Sequence, residues 1–286
     1  MKISSLQFNG RISLVLMILA AFLGSFSGLG VKEINWNPMA IAGVRSGIAC
    51  LFMILALGKP RFTFSKAQLA GALSYAICLI LTVVSLKYTT AANSALLTNT
   101  APIYVAIFGS WVLHEKTQTK DWVTLIVVMG GLALFFLDQL TIGGMEGNIY
   151  AALGGFAQAW VGIFMRMQKD ESPLETFVLG SALVFIVSLP WLHPMPDMKS
   201  LYILGGLGLI QIGFADILYA VSIRNVSALQ SKLIYNLKPI LSPLWVFLVI
   251  GEKPGKWALL GGFIVLSAIT AHGTLSLYQK KYQRNH

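Results

Sequence analysis

Charge is what this sequence has least of. Only 11% of its 286 residues are charged, while 56% are hydrophobic; a soluble domain carries about 25% charged residues. With a mean hydropathy of +0.73, a chain this long cannot hide its apolar surface in one core, so lipid must be its solvent. Acidic residues are scarcer than basic ones, 11 against 21 Lys and Arg, giving a net charge of +10. Most of that positive charge lies in short gaps between apolar runs, the distribution that membrane orientation produces, which argues against a nucleic-acid partner. There are two cysteines. Cys50 and Cys78 both fall in apolar runs without metal-ligand spacing, so packing is their expected role. Nucleophile elbow, zinc pattern and phosphate-binding P-loop are all missing. No catalysis, metal or cofactor is therefore expected, and any transport would be facilitated or ion-coupled rather than driven by ATP.

What is present is a series of apolar stretches of about 20 residues, the length that crosses a bilayer as helix. Ten spans are predicted, at 12–31, 37–58, 67–87, 91–113, 121–137, 147–167, 174–192, 200–222, 227–249 and 257–278. The first follows Arg11 without a convincing small-residue cleavage site and reads as a membrane helix rather than a signal peptide. With the N-terminus inside, thirteen of the 21 Lys and Arg fall in inner segments and five in outer ones; Arg45, Lys232 and Lys238 lie within spans. That asymmetry predicts both termini in the cytoplasm. Trp36, Trp122, Trp191 and Trp257 fall near span ends, as an interfacial aromatic belt requires.

A shift of 137 residues lays VSLKYTTAANSALLTNTAP (Val84–Pro102) over VSIRNVSALQSKLIYNLKP (Val221–Pro239) without a gap. Ser85/Ser222, Ser94/Ser231, Asn99/Asn236 and Pro102/Pro239 coincide. Thirteen residues beyond each proline comes a glutamate followed by lysine, in HEK (His114–Lys116) and GEK (Gly251–Lys253). Each half then has five helices, and an odd number inverts the second copy. The expected fold is an all-α integral membrane protein of ten helices in two inverted five-helix repeats, at 12–137 and 147–278. A linker at 138–146, overlapping the Gly-rich GGMEGN (Gly143–Asn148), joins them, and a tail at 279–286 follows. Inverted repeats are a signature of secondary transporters, with the binding site near midplane where the halves meet.

Pro38 and Arg45 in the second span, the block SLKYTTAANSALLTNTAPIYVAIFGSWVLHEK and its weaker copy ending in GEK resemble the EamA-type branch of the drug/metabolite transporter superfamily. The resemblance covers nearly the whole chain. It implies a ten-helix secondary transporter in a bacterial or archaeal inner membrane, often an exporter of amino acids or related metabolites. The second half departs from the first by placing Lys232 and Lys238 where the first has Ala95 and Ala101.

Ionisable residues inside a membrane are expensive and point to function. Asp216 and Lys232 lie on consecutive antiparallel spans at similar depth, about 8–12 Å from the inner end at 1.5 Å per residue. An ion pair between them is expected, either structural or part of an inner gate; alternatively Asp216 couples transport to protons. Lys238 lies near midplane, too deep to snorkel easily, and directly precedes the helix-breaking Pro239. A cation beside freed backbone groups suits a substrate carboxylate or phosphate. Arg45 is assigned a gating, coupling or fold role. Asn236, Tyr235, Asn99, Ser94 and Trp160 complete the candidate substrate contacts, each of which could equally be interhelical packing. His272 reads as a lone histidine in a small-residue helix contact. The expected activity is secondary transport of a small zwitterionic or anionic metabolite such as an amino acid. The alternatives are transport of organic cations or amphipathic drugs through Asp216 and Trp160, and a membrane scaffold that transports nothing.

Overall fold

The computed structural model describes residues 9–26, 34–115, 117–140, 144–171, 173–241 and 255–285. Its elements, in chain order, are α1 Gly10–Gly24, α2 Pro38–Leu57, α3 Lys66–Tyr88, α4 Ala91–Thr98, α5 Ala101–Leu113, α6 Thr119–Phe135, α7 Met145–Met167, α8 Pro173–Ser188, α9 Met198–Gly206, α10 Ala215–Ser222, α11 Ala228–Tyr235 and α12 Lys256–Asn285. A π-helical segment, Leu207–Phe214, joins α9 to α10. No strand occurs among the described residues.

Polar caps explain where many helices begin. The first amides of a helix have no partner within it, and a side-chain oxygen placed just before them supplies one. Asn9 accepts from Ile12, Ser65 from Gln68, Thr90 from Asn93 and Ser227 from Gln230. Asn37 caps α2 directly ahead of Pro38, whose missing N–H costs nothing there. Gln118 and Asp121 form a reciprocal capping box on α6.

The order of helices follows the sequence reading, with corrections. Among the described residues, six helical segments are long and apolar enough to cross a membrane: Pro38–Leu57, Lys66–Ser85, Ala92–Leu113, Pro173–Trp191, Met198–Ser222 and Lys256–Leu275. Gly10–Gly24 is a shorter apolar helix. α6 is shorter than those six, and α7 dilutes its apolar content with Asn148, Gln158 and Arg166. The first helix stops at Gly24 with Ser25 as its cap, well short of the expected residue 31. The span expected at 91–113 is two helices, interrupted at Asn99 and Thr100; Pro102 starts the second rather than kinking a continuous one. The 227–249 span likewise pauses at Asn236 and resumes at 237–241; its remainder and the GEK motif lie outside the described residues. The tail at 279–285 continues α12.

Large apolar side chains face outward along these helices: Leu55 is 80%, Trp111 76% and Phe263 70% exposed. Such a surface is stable only against lipid or a partner, and the protein is a multi-pass membrane protein. Inside, α3 packs along α7 and α8, α2 against α8 and the π segment, α1 against α10 and α11, and α6 against α12. Exchanging the two halves maps this pattern onto itself. The α3/α7 contact is answered by α10/α1, and α3/α8 by the π segment with α2. The pairs α2/α8 and α6/α12 each join a helix to its own counterpart. The polar residues of α10 and α11 fall at the centre of this packing.

Candidate functional site

α2, α3, the π segment, α10 and α11 carry a cluster of buried polar groups. Arg45, Asp216 and Lys232 are 5%, 7% and 3% exposed; Lys238, in the helical turn resuming after Asn236, is half-buried. The Asp216 carboxylate accepts from the Tyr75 hydroxyl at 2.5 Å. This corrects the expected Asp216–Lys232 ion pair, since neither lysine brings its nitrogen within 4.0 Å of that carboxylate.

The lysines rest on tyrosine rings instead. Lys238 Nζ lies 3.8 Å from the centroid of Tyr235. Lys232 Nζ lies 5.2 Å from the Tyr219 ring and 5.8 Å from that of Tyr235. The two tyrosines meet edge to face at 4.9 Å. The hydroxyl of Tyr219 is 3.1 Å from that of Ser231, whereas the buried Tyr235 hydroxyl has no partner among the described residues. A cation over a ring in a desolvated site gains about 2 kcal/mol. Removing an ammonium from water costs several kcal/mol even after relaxation, so the rings alone do not balance these charges.

Glycines make room for both lysine stems. A Cβ on Gly24 of α1 would run into the Lys238 side chain, and a Cβ on Gly162 of α7 would stand 2.6 Å from Lys232 Cε. Each lysine is thus threaded against a helix whose backbone is bare at that point. The sequence offers no sign of this, because neither glycine has a counterpart in the 137-residue alignment.

Arg45 is under-satisfied. Its guanidinium reaches Gln211 Oε1 of the π segment only at 3.5 Å, and its buried Nε has no partner among the described residues. Widened π-helical turns recur at functional sites, and this one carries Gln211 and leads directly into Asp216.

The remaining candidates divide. Asn236 donates to the backbone carbonyl of Asn99 at 3.3 Å, and the Asn99 amide turns back to the carbonyl of Ala95. Ser94 pairs with Ser85, their hydroxyls 2.5 Å apart. Trp160 stacks between Phe108 and Phe164, meets Phe156 edge-on and packs against the hydrophobic core. His272 is not alone, as expected from sequence, but meets Asp121 Oδ1 at 2.7 Å. Tyr75, Tyr219, Gln211 and the two glycines were not among the sequence candidates. The usable signal was the spacing of Asp216 and Tyr219, three residues apart and hence on one helix face.

A second polar cluster sits at the end of the molecule where α5, α7 and α10 finish. Arg166 Nε donates to Glu115 Oε1 at 2.6 Å, and its Nη1 donates to the carbonyls of Ile223 and Arg224, each at 2.7 Å. Glu115 Oε2 accepts from the Ala228 amide. The HEK glutamate therefore ties the end of α5 to α7 and to the start of α11.

Comparison with known proteins adds the following. The sequence profile of the EamA-like transporter family matches residues 11–137 and again 145–272. The chain is 26% identical to the uncharacterized transporter YyaM of Bacillus subtilis (strain 168), over 96% of this chain and 98% of that protein. It is 23% identical to an uncharacterized transporter of Archaeoglobus fulgidus, over 85% of this chain and 90% of the other. A crystal structure superposes with a TM-score of 0.81, covering 94% of this chain and 99% of its own at 14% identity; that likeness speaks to fold alone.

Proposed function

The chain belongs to the EamA-like transporter family, and from that membership we propose a secondary transporter of small anionic or zwitterionic metabolites, amino acids among them. In this reading the helices form ten spans in two inverted five-helix repeats at 12–137 and 147–278, and both termini are cytoplasmic. The membrane is a prokaryotic inner membrane and the direction is export. The packing that maps onto itself when the halves are exchanged supports the repeats, and the excess of inner Lys and Arg supports the orientation.

The observation that carries the substrate reading is the pair of lysines, Lys232 and Lys238, set against tyrosine rings with no carboxylate of the described residues in contact. A structural lysine in lipid is normally paired; these two are positioned to receive a negative charge. Asn236, Tyr235 and Asn99 surround them at the break in α11 and its counterpart, while Ser94 and Trp160 support the helices behind. Asp216 and Arg45 take the coupling and gating roles. An organic-cation site on Asp216 fits less well, because that carboxylate is engaged by Tyr75 and outnumbered by cations.

The test is uptake into proteoliposomes. Lys238→Gln should abolish transport of carboxylate-bearing substrates with the fold intact; unchanged carboxylate flux removes the anion-site assignment. For coupling, a flux indifferent to both an imposed pH gradient and Asp216→Asn eliminates Asp216 as the proton carrier.

A further inference from the structure

The charge balance of the buried cluster narrows the substrate class. Arg45, Lys232 and Lys238 bring in three cations, and Asp216 is the one carboxylate among the described residues of α2, α3, the π segment, α10, α11 and the turn at 237–241. Other carboxylates are engaged elsewhere: Glu115 with Arg166, Asp121 with His272, and Glu175 with the Arg61 amide. In their ordinary protonation states the four groups leave two positive charges uncompensated. Two further donors, Arg45 Nε and the Tyr235 hydroxyl, are buried without acceptors among the described residues. Asp216 makes no ion pair within 4.0 Å with either lysine and accepts from the Tyr75 hydroxyl at 2.5 Å instead.

We propose that the substrate is a divalent anion, a compact dicarboxylate or a phosphate monoester, whose charges are met by Lys232 and Lys238 while Tyr75 acts as a positioning residue that holds Asp216 away from them. This rests on the assignment of the cluster as the substrate site. Two negative charges bring the site to neutrality, and their oxygens supply the acceptors that the orphaned donors lack. A zwitterion adds no net charge and leaves the excess in place.

The experiment uses the full chain purified in detergent. Thermal-stabilisation titrations would compare succinate, its singly charged monoamide succinamate, glycerol 3-phosphate and alanine, with counterflow of the same four in proteoliposomes. One of the two divalent probes should bind at least about tenfold more tightly than succinamate and alanine, a difference of about 1.4 kcal/mol. Which of the two wins distinguishes a carboxylate substrate from a phosphate one. Lys232→Gln and Lys238→Gln should each lower the succinate-to-succinamate ratio. Tyr75→Phe should lower it as well, and adding Asp216→Asn to Tyr75→Phe should restore it, a rescue that a purely structural tyrosine would not show. Succinamate or alanine binding as tightly as both divalent probes overturns the proposal and leaves the transporter reading standing. No binding and no flux with any of the four overturns both.

Discussion

The side-chain amide of Asn236 donates to the backbone carbonyl of Asn99 at 3.3 Å, and the two residues occupy matched positions 137 apart. Each asparagine stands where a helix is interrupted. An interruption leaves carbonyls without a helical partner, and in lipid no water is available to satisfy them. The second half supplies the donor that the first half lacks, so the two breaks are fastened to each other at the centre of the molecule.

Removing that donor should loosen the centre. Asn236→Ala is expected to lower unfolding stability by about 1–2 kcal/mol, the cost of an orphaned buried acceptor. Asn236→Gln should recover little, since its amide sits one methylene too far out. Denaturant melts in detergent would read this.

Gly24→Ala should mimic the loss of Lys238, because the new methyl group occupies the place of the lysine stem. The expected outcome is a loss of carboxylate flux comparable to Lys238→Gln, with the double variant no worse than either single one. Additive losses in such a cycle would separate the two residues.

Glu115→Gln removes the charge that Arg166 and the Ala228 amide share. A loss of about 1–3 kcal/mol is expected for a hydrogen bond to a charged group. Glu115→Gln with Arg166→Gln should cost less than the sum of the two. Equal additivity would show that the contact contributes nothing of its own.

Orientation is open to labelling. In a chain with Cys50 and Cys78, both free and buried, replaced by alanine, Met195→Cys should react with an impermeant maleimide in intact cells. Lys169→Cys should react only after permeabilisation. The reverse pattern would invert the topology.

Several elements could be read from residues alone because their causes are one-dimensional. Apolar length gives a spanning helix, and Ser65, Thr90 and Ser227 mark helix starts by their own chemistry. The match of Asn99 with Asn236 is a property of the chain. The π segment was not legible: LGLIQIGF contains no proline or charge to mark it, and its wider turns coincide with its packing against α2. The pairing of His272 with Asp121 spans 151 residues and has no local signal.

The sequence by itself determined that this is a membrane protein, that its two halves match, and that two lysines and an aspartate lie within its apolar runs. It also assigns those groups an expected depth, because depth follows from counting residues along a helix axis. Only the tertiary structure decided that Asp216 meets Tyr75, and that Lys232 and Lys238 meet tyrosine rings and bare glycine backbone. The physical reason is that partners depend on rotation about each helix axis, which is set by how neighbouring helices pack and not by position along the chain.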